Sequence, residues 1–289
     1  MSVSGEPSVV VNDRAIVAES PMWSGREHAL YWVDGRRDAI YRLDPRSGNR
    51  SQWQTPARVN ALALHRDGLL VAMKSGIALL DTAAGSFERL AVPESAATLR
   101  LNDAKVDRAG RFWVGSMHDD GAAPVGRIFR MAADLQPACV DAGFTIPNGF
   151  AWSPDDRRMY LADSALRCIY AYDFDAGSGD VRNRRTFAAP PRGAPDGATV
   201  DAQGFLWSAC VGGYALARYA PDGGVDRIVE LPVARPTSVI FGGADLQTLY
   251  VTTATRSLTD EQLAAQPLAG AILALRVDVP GLPETEFRP

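Results

Sequence analysis

Six short runs of this 289-residue sequence begin with a side chain that carries an oxygen atom and have an apolar residue at the fifth position. Oxygen ligands that include two negative charges suit a divalent cation such as Ca²⁺, Mg²⁺ or Mn²⁺. If the fold brings these positions together, the sequence predicts a metal site. The first positions hold two carboxylates, three amides and one hydroxyl, and neither His nor Cys: Glu19, Asn60, Asn102, Asn148, Asp196 and Thr237.

A simpler interpretation is that such polar residues cap the ends of strands or bind channel water. For a single Asn this interpretation is the better one. It is weaker for Glu19 and Asp196, because two unpaired carboxylates that face one another repel, and the pKa of one of them rises unless a cation is present.

The same unit surrounds each run and indicates what positions it. Ten to thirteen residues after the first position comes an aromatic or aliphatic strand, preceded by a turn that is usually rich in Asp or Gly. These strands recur roughly every 45 residues, and further apolar alternations allow four strands in each unit. Six such units predict an all-β fold, a six-bladed β-propeller with four-stranded antiparallel blades, which occupies residues 1–289 as a single domain. A β-sandwich with fortuitous spacing is the alternative, which the regular spacing disfavours.

Two segments lie outside the repeat. The strand from Ser8 to Val11 precedes the first unit, and we expect it to complete the last blade and close the ring. Residues 257–267 predict one short helix, in which Thr259 and Gln262 are placed as a capping box. In a closed propeller the six runs would be the innermost strands, so that their first residues form a ring at one mouth of the central channel.

Composition narrows the classes of partner. The net charge is −4 and no basic stripe is visible, which argues against a nucleic-acid partner. The apolar segments are of strand length, well short of the ~20 residues of a membrane helix. The N-terminus has no signal-peptide pattern, and three sparse cysteines, Cys139, Cys168 and Cys210, suggest reduced, buried thiols. We therefore expect a cytoplasmic protein with no nucleic-acid or membrane partner. The oligomeric state stays open.

Several short motifs, in their order and spacing, resemble those of the senescence marker protein/gluconolactonase/regucalcin-like family of six-bladed propellers. The resemblance covers roughly residues 15 to 277. The motifs are Glu19-Ser-Pro-Met-Trp23, Arg100-Leu-Asn-Asp103, Ile146-Pro-Asn-Gly149, Pro195-Asp-Gly197, Phe241-Gly-Gly243 and Pro267-Leu-Ala-Gly270.

This resemblance implies one divalent metal ion, with the choice among Ca, Mg, Mn, Zn and Fe left open. It implies the metal ligands Glu19, Asn148 and Asp196, three of the six positions found from the repeat. It also implies the substrate contacts Arg100, Asn102 and Asp120. Asp120 lies in a loop of variable length, with His118 and Asp119 beside it.

Many members of the family hydrolyse sugar lactones, so the resemblance implies metal-dependent hydrolysis of an aldono-1,4- or 1,5-lactone to the sugar acid. The metal would polarise the carbonyl, and Asp196 would act as general base. Two alternatives stay open: a Ca-binding, regucalcin-like propeller without a catalytic role, and a lactonase or esterase for non-sugar substrates. Four residues have no assigned role: Asn60, His118, Tyr214 and Thr237.

Overall fold

Antiparallel pairing arranges residues 3–288, the part of the chain that this computed structural model describes, into six sheets of four strands each. Five blades use four consecutive strands, and the sixth takes its last strand from the N-terminus. The predicted all-β, six-bladed propeller is therefore confirmed.

The strand bounds follow the chain. Blade 1 is β2 (Ala18–Ser24), β3 (Ala29–Asp34), β4 (Ala39–Leu43) and β5 (Arg50–Gln54). Blade 2 is β6 (Val59–His65), β7 (Gly68–Met73), β8 (Gly76–Asp81) and β9 (Ser86–Ala91). Blade 3 is β10 (Leu99–Val106), β11 (Phe112–His118), β12 (Gly126–Met131) and β13 (Pro137–Phe144).

Blade 4 is β14 (Pro147–Trp152), β15 (Arg158–Asp163), β16 (Cys168–Phe174) and β17 (Val181–Ala188). Blade 5 is β18 (Ala194–Val200), β19 (Leu206–Val211), β20 (Ala215–Tyr219) and β21 (Val225–Glu230). Blade 6 is β22 (Pro236–Gly242), β23 (Thr248–Thr253), β24 (Ile272–Val277) and, from the start of the chain, β1 (Val3–Val11).

The first strands of neighbouring blades contact one another around a closed ring. β1 closes it, because it pairs with β24 in the register Val9 to Leu273. The predicted N-terminal strand is thus confirmed, and it begins at Val3 rather than Ser8.

Burial falls from the channel outwards. The first and second strands of each blade are largely buried, whereas the outermost strands are mostly exposed because their outer face meets water. Cys139 lies on the outermost strand β13 and is exposed, so the expectation that all three thiols are buried is wrong; Cys210 on β19 is buried. None of the three forms a disulfide bond within residues 3–288.

The predicted helix is present as α1 (Asp260–Ala265), shorter than the expected 257–267. Thr259 and Gln262 form the predicted capping box, with both reciprocal hydrogen bonds. The helix ends before Gln266 because Pro267 follows, and the residue before a proline disfavours helical backbone angles. No helix within residues 3–288 has the length and apolar character needed to cross a membrane.

The C-terminal segment, residues 278–288, crosses the end of the channel where the first strands finish. Phe287 bridges to His65 at the end of β6 and is 2% exposed. Glu284 forms an ion pair with Lys105 of β10 at 3.2 Å. The repeat did not predict this segment, because it lies outside the repeating units.

Buried aspartates tie the blades internally. Asp201, in the turn before β19, accepts hydrogen bonds from the indole nitrogen of Trp207 at 3.0 Å and from Arg218 at 2.7 Å. Asp107 accepts the equivalent bond from Trp113 in blade 3 at 2.8 Å. Arg218 and Asp201 are almost fully buried, so each depends on the other for compensation of its charge.

Replacement of Asp201 by alanine tests this connection. Asp201→Ala leaves the Arg218 charge buried with one exposed partner, so we expect the free energy of unfolding to fall by about 3–5 kcal/mol in urea denaturation. Asp226→Ala is the matched control, because Asp226 bonds the same guanidinium at 2.7 Å but is 33% exposed. It should cost about 0–1 kcal/mol. Equal losses for the two variants would contradict the importance of burial.

Candidate active site

A cavity of about 370 Å³ lies at the end of the channel where the first strand of every blade begins. Its size falls within the roughly 300–1,000 Å³ of small-molecule pockets. All six positions that the repeat indicated, called the ring residues below, line this cavity: Glu19, Asn60, Asn102, Asn148, Asp196 and Thr237.

A β-bulge lies at or beside each ring residue, between the first and second strands of the blade. In blade 4 the bulge shifts the strand register between Asn148 and Ala151. Gly149, within it, has φ 69°, and a Cβ there would lie 2.7 Å from the carbonyl oxygen of Asp196. Bulges redirect side chains and are frequent beside active sites. They let the ring side chain face the channel while the rest of the strand keeps its sheet pairing.

Three ring residues fasten their blade directly to the next one. Each donates a hydrogen bond to the carbonyl of the residue that immediately precedes the next ring residue. The bonds give Asn60 and Thr237, which had no assigned role, a structural one. The donor and acceptor pairs are Asn60 and Leu101 at 2.8 Å, Asn102 and Pro147 at 3.0 Å, and Thr237 and Ala18 at 2.5 Å.

A hydrogen-bond chain orders the side chains on one wall. Arg100 Nη1 donates to Asn102 Oδ1 at 2.5 Å, and Asn102 Nδ2 donates to Asn148 Oδ1 at 2.6 Å. Asn148 Nδ2 donates to Ser164 Oγ at 2.8 Å, which in turn donates to the carbonyl of Pro195 at 2.6 Å. An amide oxygen has two lone pairs, so Asn148 Oδ1 keeps one for a further partner.

Glu19 and Asp196 differ from the other ring residues. An ionised carboxylate only accepts hydrogen bonds, so neither side chain can donate one to the next blade. Neither is paired with a cationic side chain among the described residues. Burial, followed by the carboxylates of Asp196 and Asp103, raises the pKa of Glu19 well above its usual value. Burial and Asp103 likewise raise the pKa of Asp196, against the opposing effect of Arg235.

Asp103 adds a third carboxylate beside Glu19 and Asp196, and these three side chains form the floor of the cavity, as it is called below. Asp103 accepts hydrogen bonds from the backbone N–H of Gly149 at 2.7 Å and of Ala104 at 2.9 Å, while burial raises its pKa. It therefore supports the bulge of blade 4 and also lines the cavity.

These uncompensated carboxylates fit a divalent cation, which supplies the missing positive charge. In the described part of the chain, no group of three His, Cys, Asp or Glu side chains is placed to hold a metal ion. A site would therefore need the free lone pair of Asn148 Oδ1 beside Glu19 and Asp196. That set is oxygen only, as hard cations prefer.

The three predicted substrate contacts all line the cavity, at different depths. Arg100 is 9% exposed, Asn102 is partly buried, and Asp120 lies at the rim with its side chain 64% exposed and hydrogen-bonded to His118. The neighbouring Asp119 is the acid that approaches Arg100, at 3.5 Å. No sequence pattern separates these adjacent acids, because only the path of their loop decides which one approaches Arg100.

Five arginines line the cavity, and only Arg100 among them was predicted from the sequence. Arg58 and Arg235 stand two residues before Asn60 and Thr237, the same spacing that relates Arg100 to Asn102. That repeated offset is the signal that could have found them. Arg36 and Arg256 follow second strands and carried no such signal; Tyr214 does not appear among the described residues that line the cavity.

The family model of the SMP-30/gluconolactonase/LRE-like region matches residues 17–255. A 6-deoxy-6-sulfogluconolactonase of Pseudomonas putida is 39% identical, over 96% of this chain and 97% of that protein. An L-arabinolactonase of Azospirillum brasilense is 35% identical, over 98% of this chain and 96% of that protein.

A solved structure of similar shape is that of a calcium-binding protein, regucalcin, from Agrobacterium tumefaciens. It superposes with a TM-score of 0.94 at 27% identity and covers 100% of both chains.

The raised carboxyl pKa values predict how Asp196→Asn behaves in chelator. A raised folded-state pKa means that the folded protein binds the proton more tightly than the unfolded chain, so stability falls as pH rises from about 4 through that pKa. We expect the metal-free variant to melt at a higher temperature than wild type at pH 8, with the difference shrinking towards pH 4.

When Ca²⁺, Mg²⁺ or Mn²⁺ is added, we expect the order of the melting temperatures to reverse, so that wild type melts higher than Asp196→Asn. At a hundredfold excess over its Kd, a cation bound only by the folded state stabilises wild type by about 2.7 kcal/mol, whereas the variant should gain much less. Asp226→Asn, far from the cavity, is the control. A variant that melts lower than wild type in chelator would show that the Asp196 carboxylate is compensated within the protein.

Proposed function

The chain belongs to the SMP-30/gluconolactonase/LRE-like family, and from this premise we propose that it hydrolyses a sugar lactone, an aldono-1,4- or 1,5-lactone, to the sugar acid with one divalent metal ion. The observation that carries the proposal is the pair of uncompensated carboxylates, Glu19 and Asp196, on the floor of a cavity of about 370 Å³. The relatives that are lactonases align with nearly the full length of the chain.

Glu19, Asn148 and Asp196 would hold the metal ion. A divalent cation bound there would favour the ionised form of both carboxyl groups, polarise the lactone carbonyl and lower the pKa of a water molecule beside it. The hydrogen-bond chain from Arg100 to Ser164 fixes the orientation of the Asn148 amide, whose oxygen would bind the metal ion.

Asp196 is the general base of the proposed reaction. Its carboxylate takes a proton from water as the water oxygen bonds to the carbonyl carbon. The bond between that carbon and the ring oxygen then breaks, and the ring oxygen receives the proton from Asp196. The product is the open hydroxy acid. Asp196 suits this task because no ion pair within the described residues occupies its carboxylate.

Arg100, Asn102 and Asp120 are the proposed substrate contacts. The Nη1 atom of Arg100 is used by Asn102, but its buried Nε has no hydrogen-bond partner within residues 3–288. Guanidinium donors of this kind bind a carbonyl or hydroxyl oxygen of a sugar. The exposed carboxylate of Asp120 can accept a sugar hydroxyl at the rim.

A calcium-binding role without catalysis is the second candidate. Similarity to the regucalcin structure favours it, since that protein is a calcium-binding protein with the same overall shape. The same three oxygen ligands would serve both functions, so only a catalytic assay separates them.

A panel of aldonolactones in a pH-indicator assay tests the proposal. We expect hydrolysis that chelator abolishes and that one of Ca, Mg, Mn, Zn or Fe restores. Asp196→Asn, reloaded with that metal, should lose about 10²–10⁴-fold in kcat, because proton transfer is lost. Asp226→Asn should match wild type.

Two results would contradict the proposal. Near-wild-type turnover by Asp196→Asn would remove Asp196 from the chemistry. Failure of every lactone with every metal, together with tight Ca²⁺ binding by calorimetry, would favour the binding protein.

A further inference from the structure

Five arginines line the same cavity, more than a neutral sugar requires. Arg100 lies deepest, Arg58 and Arg235 are partly buried, and Arg36 and Arg256 are exposed at the mouth. Burial, followed by the Arg58 guanidinium, lowers the pKa of Arg100 to about 10, and burial followed by Arg36 lowers that of Arg58. Arginine carries a positive charge in proteins, so the cluster is a concentration of like charge.

The protein supplies little compensation for this charge. Asp119 approaches Arg58, Lys74 and Arg100 at once, so one carboxylate serves three cations. Among the described residues, Arg36, Arg235 and Arg256 have no ion pair. The Nε atoms of Arg58, Arg100 and Arg235 are buried and have no hydrogen-bond partner in the described part of the chain.

Arginines elsewhere in the molecule are treated differently. Arg218 is 2% exposed and bonds both Asp201 and Asp226 at 2.7 Å. Arg111 is similarly paired with Asp107 at 2.7 Å. The fold therefore gives each of these structural arginines its own buried carboxylate, whereas Arg58 and Arg100 share Asp119 with Lys74 and the other three cavity arginines have no ion pair among the described residues.

Charge in the cavity is separated along its depth. The carboxylates of Glu19, Asp103 and Asp196 lie together on the floor, where the lactone carbonyl must react. The guanidinium groups of Arg36 and Arg256 lie at the mouth. Asp119 and Asp120 also lie towards the mouth, but the cations there outnumber them, so a ligand that spans this depth meets net negative charge at one end and net positive charge at the other.

We propose that the substrate is a lactone that carries an anionic group, a phosphate, sulfonate or carboxylate, at the end remote from the lactone carbonyl, and that Arg36, Arg58 and Arg256 bind this group. The orientation rests on the proposed function, because that function puts the carbonyl at the floor. Guanidinium forks match the oxygens of all three anions with paired, charge-assisted hydrogen bonds.

The first experiment compares gluconolactone with its derivatives that bear phosphate, sulfonate or carboxylate at carbon 6, using the metal-loaded enzyme. We expect kcat/KM for at least one anionic lactone to exceed that for gluconolactone by about ten- to hundredfold, as hydrogen bonds to a charged group allow. The order among the three derivatives identifies the anion. Equal or better use of gluconolactone would overturn the inference while leaving the proposed function intact.

The double variant Arg36→Gln/Arg256→Gln tests which residues are responsible. Both side chains are exposed, so folding should be preserved. The ratio of kcat/KM between the preferred anionic lactone and gluconolactone should fall about tenfold or more, chiefly through KM. Arg66→Gln is the matched control, with a side chain 74% exposed at the far end of the channel, and should leave the ratio unchanged. An unchanged ratio in the double variant would overturn the assignment.

Calorimetric binding separates this inference from the catalytic one. Glucose 6-phosphate, glucose 6-sulfate and glucuronate carry the anion but no lactone. At least one should bind at least about tenfold more tightly than glucose, and less tightly to the double variant. We expect this difference in binding even if the protein hydrolyses no lactone. Absence of hydrolysis would refute only the proposed function. Equal binding of glucose and all three anions would overturn the inference.

Discussion

Neighbouring blades are held together at the channel mouth by hydrogen bonds from ring residues, and the candidate active site depends on this constraint. A closed propeller needs its first strands joined around the whole ring, and Asn60, Asn102 and Thr237 each donate to the strand of the next blade. Asn148 reaches the next strand through Ser164. The same position in each blade therefore holds a side chain that donates a hydrogen bond towards the next blade, except in the two blades where it is a carboxylate.

Glu19 and Asp196 are the exceptions, and they come at a cost in stability. Their blades lack the bond that an amide would give, and the two carboxylates face each other and Asp103 with little compensation. Functional sites often break the rules that the rest of a fold obeys, and the rest of the structure must outweigh the loss. Here the buried apolar residues packed between the blades and the pairing of β1 with β24 contribute to that excess.

The bulges explain how a regular sheet can hold an irregular site. Without them, a ring residue would follow the alternation of its strand, and its direction would be set by the blade core. With them, the side chain faces the channel and the later residues of the strand still pack between blades. The guanidinium groups of Arg36 and Arg256 lie at the mouth, apart from the carboxylates on the floor, because these two residues stand on the loops beyond second strands.

The sequence by itself determined the repeat, the number of blades, the N-terminal strand that closes the ring and the capping box of the helix. These features are local or periodic, so residue type and spacing are sufficient to reveal them. It also selected the six ring residues, because equivalent positions in equivalent units must meet. Only the tertiary structure decided which side chains join the blades, that Asp119 rather than Asp120 approaches Arg100, and that five arginines share one cavity. Those relations join residues from different blades, and they depend on bulges and loop paths that no local pattern encodes.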